Sequence, residues 1–379
     1  MIKVINMKKS PDTIYCTVGS GEACARLGIS RDTLYAYVSR GLVRTVAHPS
    51  DARKSLYDRR DVDALMQRKG RGRSRRAVAE STIDWGEPVL SSKITHIADG
   101  TFFYRGHNAV ELSETQSLED TLRLLARVRC KPSADAAMLA TPHQRPFERI
   151  LAGMALLATA DAAGDGRPRA GHIMSLTAQW AAGAADAGPE PIHRLLARHW
   201  STDAGAEDIV RRALVLCADH ELNASAYAAR VAASAGASLA ASLLAGLATL
   251  SGGLHGGLTP RCRRWMDQVD TGASPVPDSG DPPPGFGHPL YPDGDPRAAE
   301  LLRCAPLTPR WQRLLDDIRT ATNSHPTLDF ALAHLERRFG LPEGAGLGMF
   351  AVGRTAGWLA HIFEQRETGK LIRPRAASE

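Results

Sequence analysis

The stretch from Asp219 to Gly257 limits what this chain can fold into more than any other. It opens Asp219-His220-Glu221-Leu222-Asn223-Ala224-Ser225 and closes Gly252-Gly253-Leu254-His255-Gly256-Gly257. Between these ends, Ala226 to Leu250 contains no proline and is dominated by Ala, Ser, Leu and Gly, a composition that predicts a helix. Small residues at Ala228, Ala229, Ala232, Ala233, Ser234 and Ala235 let a second helix approach closely, so the helix is expected to be buried. Each end carries a histidine in an unusual setting. His220 precedes the helix, where Asn223 or Ser225 can cap it. His255 has two glycines on each side, and glycine tolerates positive φ and close backbone approach.

The chain has 379 residues, enough for two or more domains, and its 43% hydrophobic content suits a globular protein with a sizeable core. No N-terminal basic-apolar-small pattern and no long uninterrupted apolar run occur, so neither secretion nor a membrane span is expected. The six cysteines (Cys16, Cys24, Cys130, Cys217, Cys262, Cys304) form no CxxC pair. That predicts a reduced, cytoplasmic protein without structural zinc or any other metal.

Charge is concentrated at one end. Residues 1–76 hold 17 Lys and Arg against 7 Asp and Glu, a net of +10, whereas the whole chain is +6. Such asymmetry suggests a polyanionic partner for the first segment. There, Thr17 to Leu27 reads as a short helix ended by Gly28. Ser30 can cap a second helix, Arg31 to Arg40, that Gly41 stops. Leu42-Val43-Arg44 and Lys54-Ser55-Leu56-Tyr57 are expected to pair as a small hairpin, and Asp61 to Met66 begins a third helix. This segment resembles the MerR-type winged helix-turn-helix. The resemblance implies DNA binding, with Arg31, Thr33, Tyr35 and Tyr37 on the groove-facing helix and Arg44, Arg53 and Lys54 reaching phosphates from the wing. Residues Arg68 to Arg76, six of them basic and none apolar, read as a flexible linker.

From Ser81 the pattern changes. Lys93 to Gly106 reads as two short strands around an Asp99-Gly100 turn. Helical segments follow at Leu118–Val128, Pro146–Ala163, Gly171–Ala182, Pro191–Trp200 and Ala206–Ala218. Asp270 to Asp295 is dense in Pro and Gly and predicts a long loop. Beyond the histidines of the opening stretch come Gly285-Phe286-Gly287-His288, Asp295-Pro296-Arg297, Leu328-Asp329-Phe330, Gly353-Arg354-Thr355 and Arg373-Pro374-Arg375. This ordered set resembles the citrate synthase family over roughly residues 85 to 379.

The resemblance implies a mainly α fold. A helix-turn-helix domain (1–67) and a linker (68–80) would precede a large helical domain (81–257 and 341–379) and a small one (258–340). It implies condensation of acetyl-CoA with oxaloacetate to citrate by a homodimer, with acetyl-CoA as substrate and no cofactor. The chemistry requires a base for a weakly acidic α-carbon, a partner for the enolate and a donor that polarises a ketone. The resemblance assigns these to Asp329, His255 and His288. It gives the keto acid to His220, Arg297 and Arg354, with Arg373 reaching across from the other subunit. His325 and His361 are read as structural. The sequence departs from the family pattern at Leu258-Thr259-Pro260 and at Pro289 and Pro292, where basic residues usually meet coenzyme A phosphates. Arg261, Arg263 and Arg264 lie close enough in sequence to compensate. Two other readings stay open: propionyl-CoA as substrate, giving 2-methylcitrate, and a metabolite sensor governing a DNA-binding head.

Overall fold

The computed structural model describes residues 17–48, 51–70, 90–128, 145–160, 167–184, 190–277 and 280–375. The chain divides into two compact units, Met1–Val89 and Leu90–Glu379.

In the first unit, β1 (Thr17–Gly19) leads into α1 (Ser20–Leu27) and α2 (Arg31–Ser39). Gly28 takes a left-handed conformation (φ 56°) and its N–H returns to the carbonyls of α1, which ends that helix. Ser30 Oγ accepts the Thr33 N–H and starts the next. Two strands follow, β2 (Thr45–His48) and β3 (Asp51–Asp58), and then α3 (Arg59–Gly70). β3 is central in an antiparallel sheet of order β1-β3-β2. The hairpin therefore starts at Thr45, not within Leu42–Arg44, because the Arg44 backbone N–H donates to Asp61 Oδ2 and Val43 is drawn into the core. That core is Val18, Ala23, Leu27, Leu34, Val43, Tyr57 and Val62. α3 carries the first three residues of the basic run, to Gly70; the remainder of the expected linker lies outside the described residues.

The second unit opens on a small antiparallel sheet of β4 (Thr95–Ala98), β5 (Thr101–Tyr104) and β6 (His107–Asn108). Asp99 and Gly100 both have positive φ (51° and 73°), as a two-residue hairpin turn matched to strand twist requires. The helices then run α4 (Ala109–Thr115), α5 (Leu118–Ala126), α6 (Pro146–Ala160), α7 (Arg167–Ala182), α8 (Ile192–Trp200) and α9 (Ala206–Cys217). Helices α5 to α9 match the sequence expectations to within a few residues at their ends, whereas α4 was not expected.

The predicted continuous helix from Ala226 to Leu250 is two helices, α10 (Ala224–Ser234) and α11 (Leu239–Leu250). Gly236 sits at φ 81° and Ser238 caps α11 by accepting the Ala241 N–H. A stop signal and a start signal within three residues outweigh the helical propensity of the alanines around them. The break folds the run back on itself, and both halves bury alanines against the core.

The remaining helices are α12 (Leu258–Asp270), α13 (Pro296–Cys304), α14 (Pro309–Thr322), α15 (Leu328–Arg338) and α16 (Ala345–Thr368). α16 is buried on all sides for most of its length, which marks a central helix. Its glycines permit this. A Cβ at Gly353 would lie 2.6 Å from the Leu214 carbonyl oxygen, and one at Gly357 2.3 Å from that of Ala218. α16 thus packs backbone to backbone on the end of α9, directly before His220. A second, aromatic core within residues 262–333 gathers Trp265, Phe286, Trp311 and Phe330 around Cys262, Met266, Val269, Ile318 and Ala333. Among the described residues no helix is long and apolar enough to cross a membrane.

Candidate active site

His220 leaves α9 in the turn before α10, where Glu221 takes φ 55° and Asn223 caps α10 by accepting the Ala226 N–H. The imidazole is buried, edge-on to Phe102 and His288 (ring centroids 5.9 and 5.4 Å). Its Nε2 lies 2.8 Å from the Tyr291 hydroxyl. Burial first, and then the positive charges of Arg297 and Arg354, push its pKa well below the ordinary histidine value.

His255 hangs on the turn between α11 and α12. None of its four flanking glycines uses positive φ. The two that follow it are required for close approach: a Cβ at Gly256 would meet the Leu250 side chain at 2.7 Å, and one at Gly257 the Ser251 carbonyl oxygen at 2.6 Å. His255 Nε2 is 2.8 Å from Ser225 Oγ, which also accepts the Trp358 indole N–H. Burial and the nearby Arg354 and Arg297 lower its pKa to about 3.

His288 sits on the Pro- and Gly-rich loop. Its Nδ1 accepts the Leu290 backbone N–H at 3.2 Å, so the neutral ring carries its proton on Nε2. Burial and Arg297 bring its pKa to about 4. All three imidazoles are therefore neutral near pH 7, so each can offer one ring N–H without carrying a charge.

Asp329 is the second residue of α15, whose capping position is Thr327; the aspartate does not cap the helix. Its Oδ1 accepts the Thr259 hydroxyl at 2.5 Å. Burial raises its pKa to about 6, against the opposing pull of Thr259 and Arg297. A carboxylate poised near neutrality is what a general base needs.

Two buried arginines complete the cluster. Arg354 projects from α16, donates Nε–H to the Cys217 carbonyl at 2.7 Å and lies 4.9 Å from the Phe350 ring centroid. Its Nη2 is buried without a hydrogen-bond partner among the described residues, as fits a guanidinium awaiting an anion. Arg297 is already engaged: Asp295 holds its Nε and Nη2 in a bidentate pair at 2.9 and 2.8 Å. Asp295 also caps α13 through the Arg297 N–H and accepts the Leu328 N–H, tying the starts of α13 and α15 together. Of the five guanidinium hydrogens, three remain for an anion.

The structure thus brings His220, His255, His288, Asp329, Arg297 and Arg354 into one electrostatic neighbourhood. Arg373 stands apart, exposed on the tail after α16, where the adjacent Ile372 N–H is held by Ser234 Oγ. Of the arginines expected near coenzyme A, Arg263 is paired with Asp267 and lies 3.6 Å from Glu336, Arg261 donates to the Gly253 carbonyl, and Arg264 is exposed.

Sequence reasoning missed Tyr291, Asp295 and Ser225, and gave Asp219 and His361 no role in the site. Asp295 was legible: an Asp before Pro at a helix start is a capping signature. His361, read as structural, faces the fully buried Asp219 at 3.3 Å. Asp219 also accepts the Thr95 hydroxyl, and its N–H donates to Tyr104. This network anchors the backbone from which His220 projects.

In the first unit, Arg31 and Lys54 are exposed, and Tyr35 on α2 is 56% exposed. Tyr37 is half-buried against the core. Thr33 Oγ1 lies 3.0 Å from Ser30 Oγ. Lys54 pairs with Asp51. Arg44, expected on phosphate, is bidentate to Asp61 and also 3.2 Å from Asp58, because the true hairpin start turns it toward α3. The Arg53 side chain lies outside the described residues.

The model of the citrate synthase C-terminal domain matches residues 84–375. Citrate synthase 2 of Bacillus subtilis is 27% identical over 347 residues, covering 77% of this chain and 93% of that protein. Citrate synthase of Haloferax volcanii is 36% identical over 181 residues, 43% of this chain and 48% of that one. 2-Methylcitrate synthase 1 of Corynebacterium glutamicum is 30% identical over 190 residues, 45% and 50%. Among solved structures, the ternary complex of citrate synthase from Thermoplasma acidophilum with carboxymethyl coenzyme A and oxaloacetate aligns with TM-score 0.61 at 20% identity. That alignment covers 76% of this chain and 93% of that one. With a family model spanning three-quarters of its length and the acid–base cluster assembled inside that span, the chain belongs to the citrate synthase family.

Proposed function

We propose that the protein condenses acetyl-CoA with oxaloacetate and releases citrate and coenzyme A. The observation that carries this reading is the pairing of a half-buried carboxylate with pKa about 6 and neutral imidazoles at His255 and His288, all under the influence of Arg297. In this reading the Asp329 carboxylate removes a proton from the acyl α-carbon. His255 donates a hydrogen bond to the thioester oxygen as it becomes an enolate. The enolate carbon attacks the ketone carbon, while His288 Nε2–H polarises the ketone oxygen and passes it a proton. Water then hydrolyses the citryl thioester. Arg354, the uncommitted hydrogens of Arg297, and His220 hold the two carboxylates of the keto acid. Arg373 completes the site from the second subunit of a homodimer, which accounts for its exposure within one chain.

Thiol release from acetyl-CoA with and without oxaloacetate tests the reaction, and propionyl-CoA run in parallel decides the acyl group. The propionyl reading draws support from the 2-methylcitrate synthases among the relatives. One methylene in the acyl pocket is worth only about 1–3 kcal/mol. No release with either thioester would overturn the assignment.

For the first unit we infer a winged helix-turn-helix that binds duplex DNA. The exposed Tyr35 and Arg31 on α2, together with the +10 charge of residues 1–76, support it. Affinity should fall steeply with salt as counterions are released. Fluorescence anisotropy of labelled DNA with full-length protein and its Arg31→Ala variant tests this. Salt-independent binding, or none, removes DNA as the partner. A change in DNA affinity on adding oxaloacetate would favour the sensor reading; the intact acid–base set favours the enzyme.

A further inference from the structure

Thr259 is the second residue after the glycine pair that follows His255 and the second residue of α12, and it is buried. Its N–H donates to the Gly256 carbonyl at 3.1 Å. Its methyl group faces the first turn of α16, where a Cβ on Gly346 would come within 3.0 Å of Cγ2. Glycine at 346 leaves that methyl uncrowded. With the methyl so placed, the hydroxyl meets Asp329 Oδ1 at 2.5 Å. We propose that Thr259 is a positioning residue that holds Asp329 as a carboxylate through Oδ1, leaves Oδ2 to take the substrate proton, and sets the pH at which the base works. This rests on the reading of Asp329 as the base.

The surroundings leave this role to Thr259. Among the described residues, the charged and titratable groups that bear on Asp329 include Arg297 and Asp295 at the head of α13, Cys217 at the end of α9 and Cys262 on α12. Burial keeps both thiols protonated. Arg297 and Asp295 are paired with each other, so their effects on Asp329 oppose. Thr259 supplies the side-chain hydrogen bond to the carboxylate, and a bond to a charged group favours the ionised form. Burial pulls the other way. The balance places Asp329 high enough to bind a proton strongly and low enough to be ionised at neutral pH.

The test compares wild type, Thr259→Val and Thr259→Ser. Two quantities are read across pH 4.5–9: kcat/KM for thiol release, and the 13C carboxyl resonance of Asp329, assigned by its absence in Asp329→Asn. Thr259→Val keeps the shape and removes the donor. It should move both midpoints up by about one unit or more and leave the alkaline plateau within about threefold. Thr259→Ser should restore both. A plateau that falls while the midpoints stay put, or a serine variant that behaves like valine, would reduce Thr259 to packing and overturn the proposal. If wild type releases no thiol, the assignment of function fails, and the carboxyl titration still decides whether Thr259 governs Asp329.

Discussion

Removing the Asp295 carboxylate should be among the costliest single changes in the second unit. Asp295 is almost wholly buried and accepts four hydrogen bonds, three from Arg297 and one from the Leu328 N–H. In Asp295→Ala the Arg297 guanidinium stays buried without its counter-charge, and α13 loses its cap. Breaking a buried pair by deleting one partner costs about 3–5 kcal/mol, and for a unit of this size about 2–4 °C follows each kcal/mol. A fall of about 10 °C in the apparent Tm is expected. Asp295→Asn, which keeps an acceptor oxygen and the shape, should lose less. Burial alone would raise the Asp295 pKa, but Arg297 and the Leu328 N–H outweigh it and the folded-state value is depressed. A depressed carboxylate stabilises the fold fully above its unfolded pKa of about 3.9 and loses that contribution as pH falls through the lower folded value. The gap between wild type and variant should therefore be constant from pH 5 to 8 and close only below about pH 4. Thermal scans at a fixed heating rate over that range measure it. A gap under 1 kcal/mol, or one that varies between pH 6 and 8, would refute the account of Asp295 as the buried counter-ion.

Other outcomes follow from the same geometry. The kcat/KM profile of wild type should fall below about pH 6 as Asp329 takes a proton; a flat profile down to pH 5 would remove Asp329 as the base. His255→Ala and His288→Ala should each cut turnover by about a hundredfold or more with little change in Tm, and activity within threefold of wild type would exclude that residue. Gly357→Ala drives a methyl into the Ala218 carbonyl and Asp219 carboxylate. Overpacking there should cost about 1–3 kcal/mol and raise KM for the keto acid through His220; an unchanged KM would show that the Asp219 network does not position that histidine.

How much of this was readable before the structure depended on the kind of signal. Helices with strong composition and clean ends, such as Leu118–Ala126 and Ala206–Cys217, were legible because propensity and capping agree there. The break inside the Ala226–Leu250 run was misread because average composition hid the Gly236 and Ser238 signals. The first-unit hairpin was misplaced because Val43 is apolar enough for a strand, and only the tertiary partner Asp61 shows that its neighbour Arg44 lies before the strand. The histidines, Asp329 and the arginines of the site stood out as ordered motifs. The groups that tune them did not, since Ser225, Tyr291 and Thr259 become neighbours of His255, His220 and Asp329 only through folding.

The last consequence concerns the dependence of the site on the Asp219 network. His220 is one residue from a carboxylate that is fully buried and held by Thr95 of β4 and by His361 of α16. Beyond His361, Arg230 of α10 is bound to Glu364 and Gln365, and Glu364 accepts the Lys93 N–H. The small sheet, α10 and α16 are thus joined by one polar chain that ends beside His220. Deleting one member leaves others buried and unpaired, so single changes along it should be costly and non-additive. In a double-mutant cycle, Thr95→Val and His361→Phe should couple through Asp219 by about 1 kcal/mol or more, whereas Thr95→Val and Asp295→Asn, which share no partner, should add. Thermal stability of the four proteins in each cycle provides the measurement. Additivity in the first cycle would show that Asp219 is held by packing alone, and the network would then have no part in placing His220.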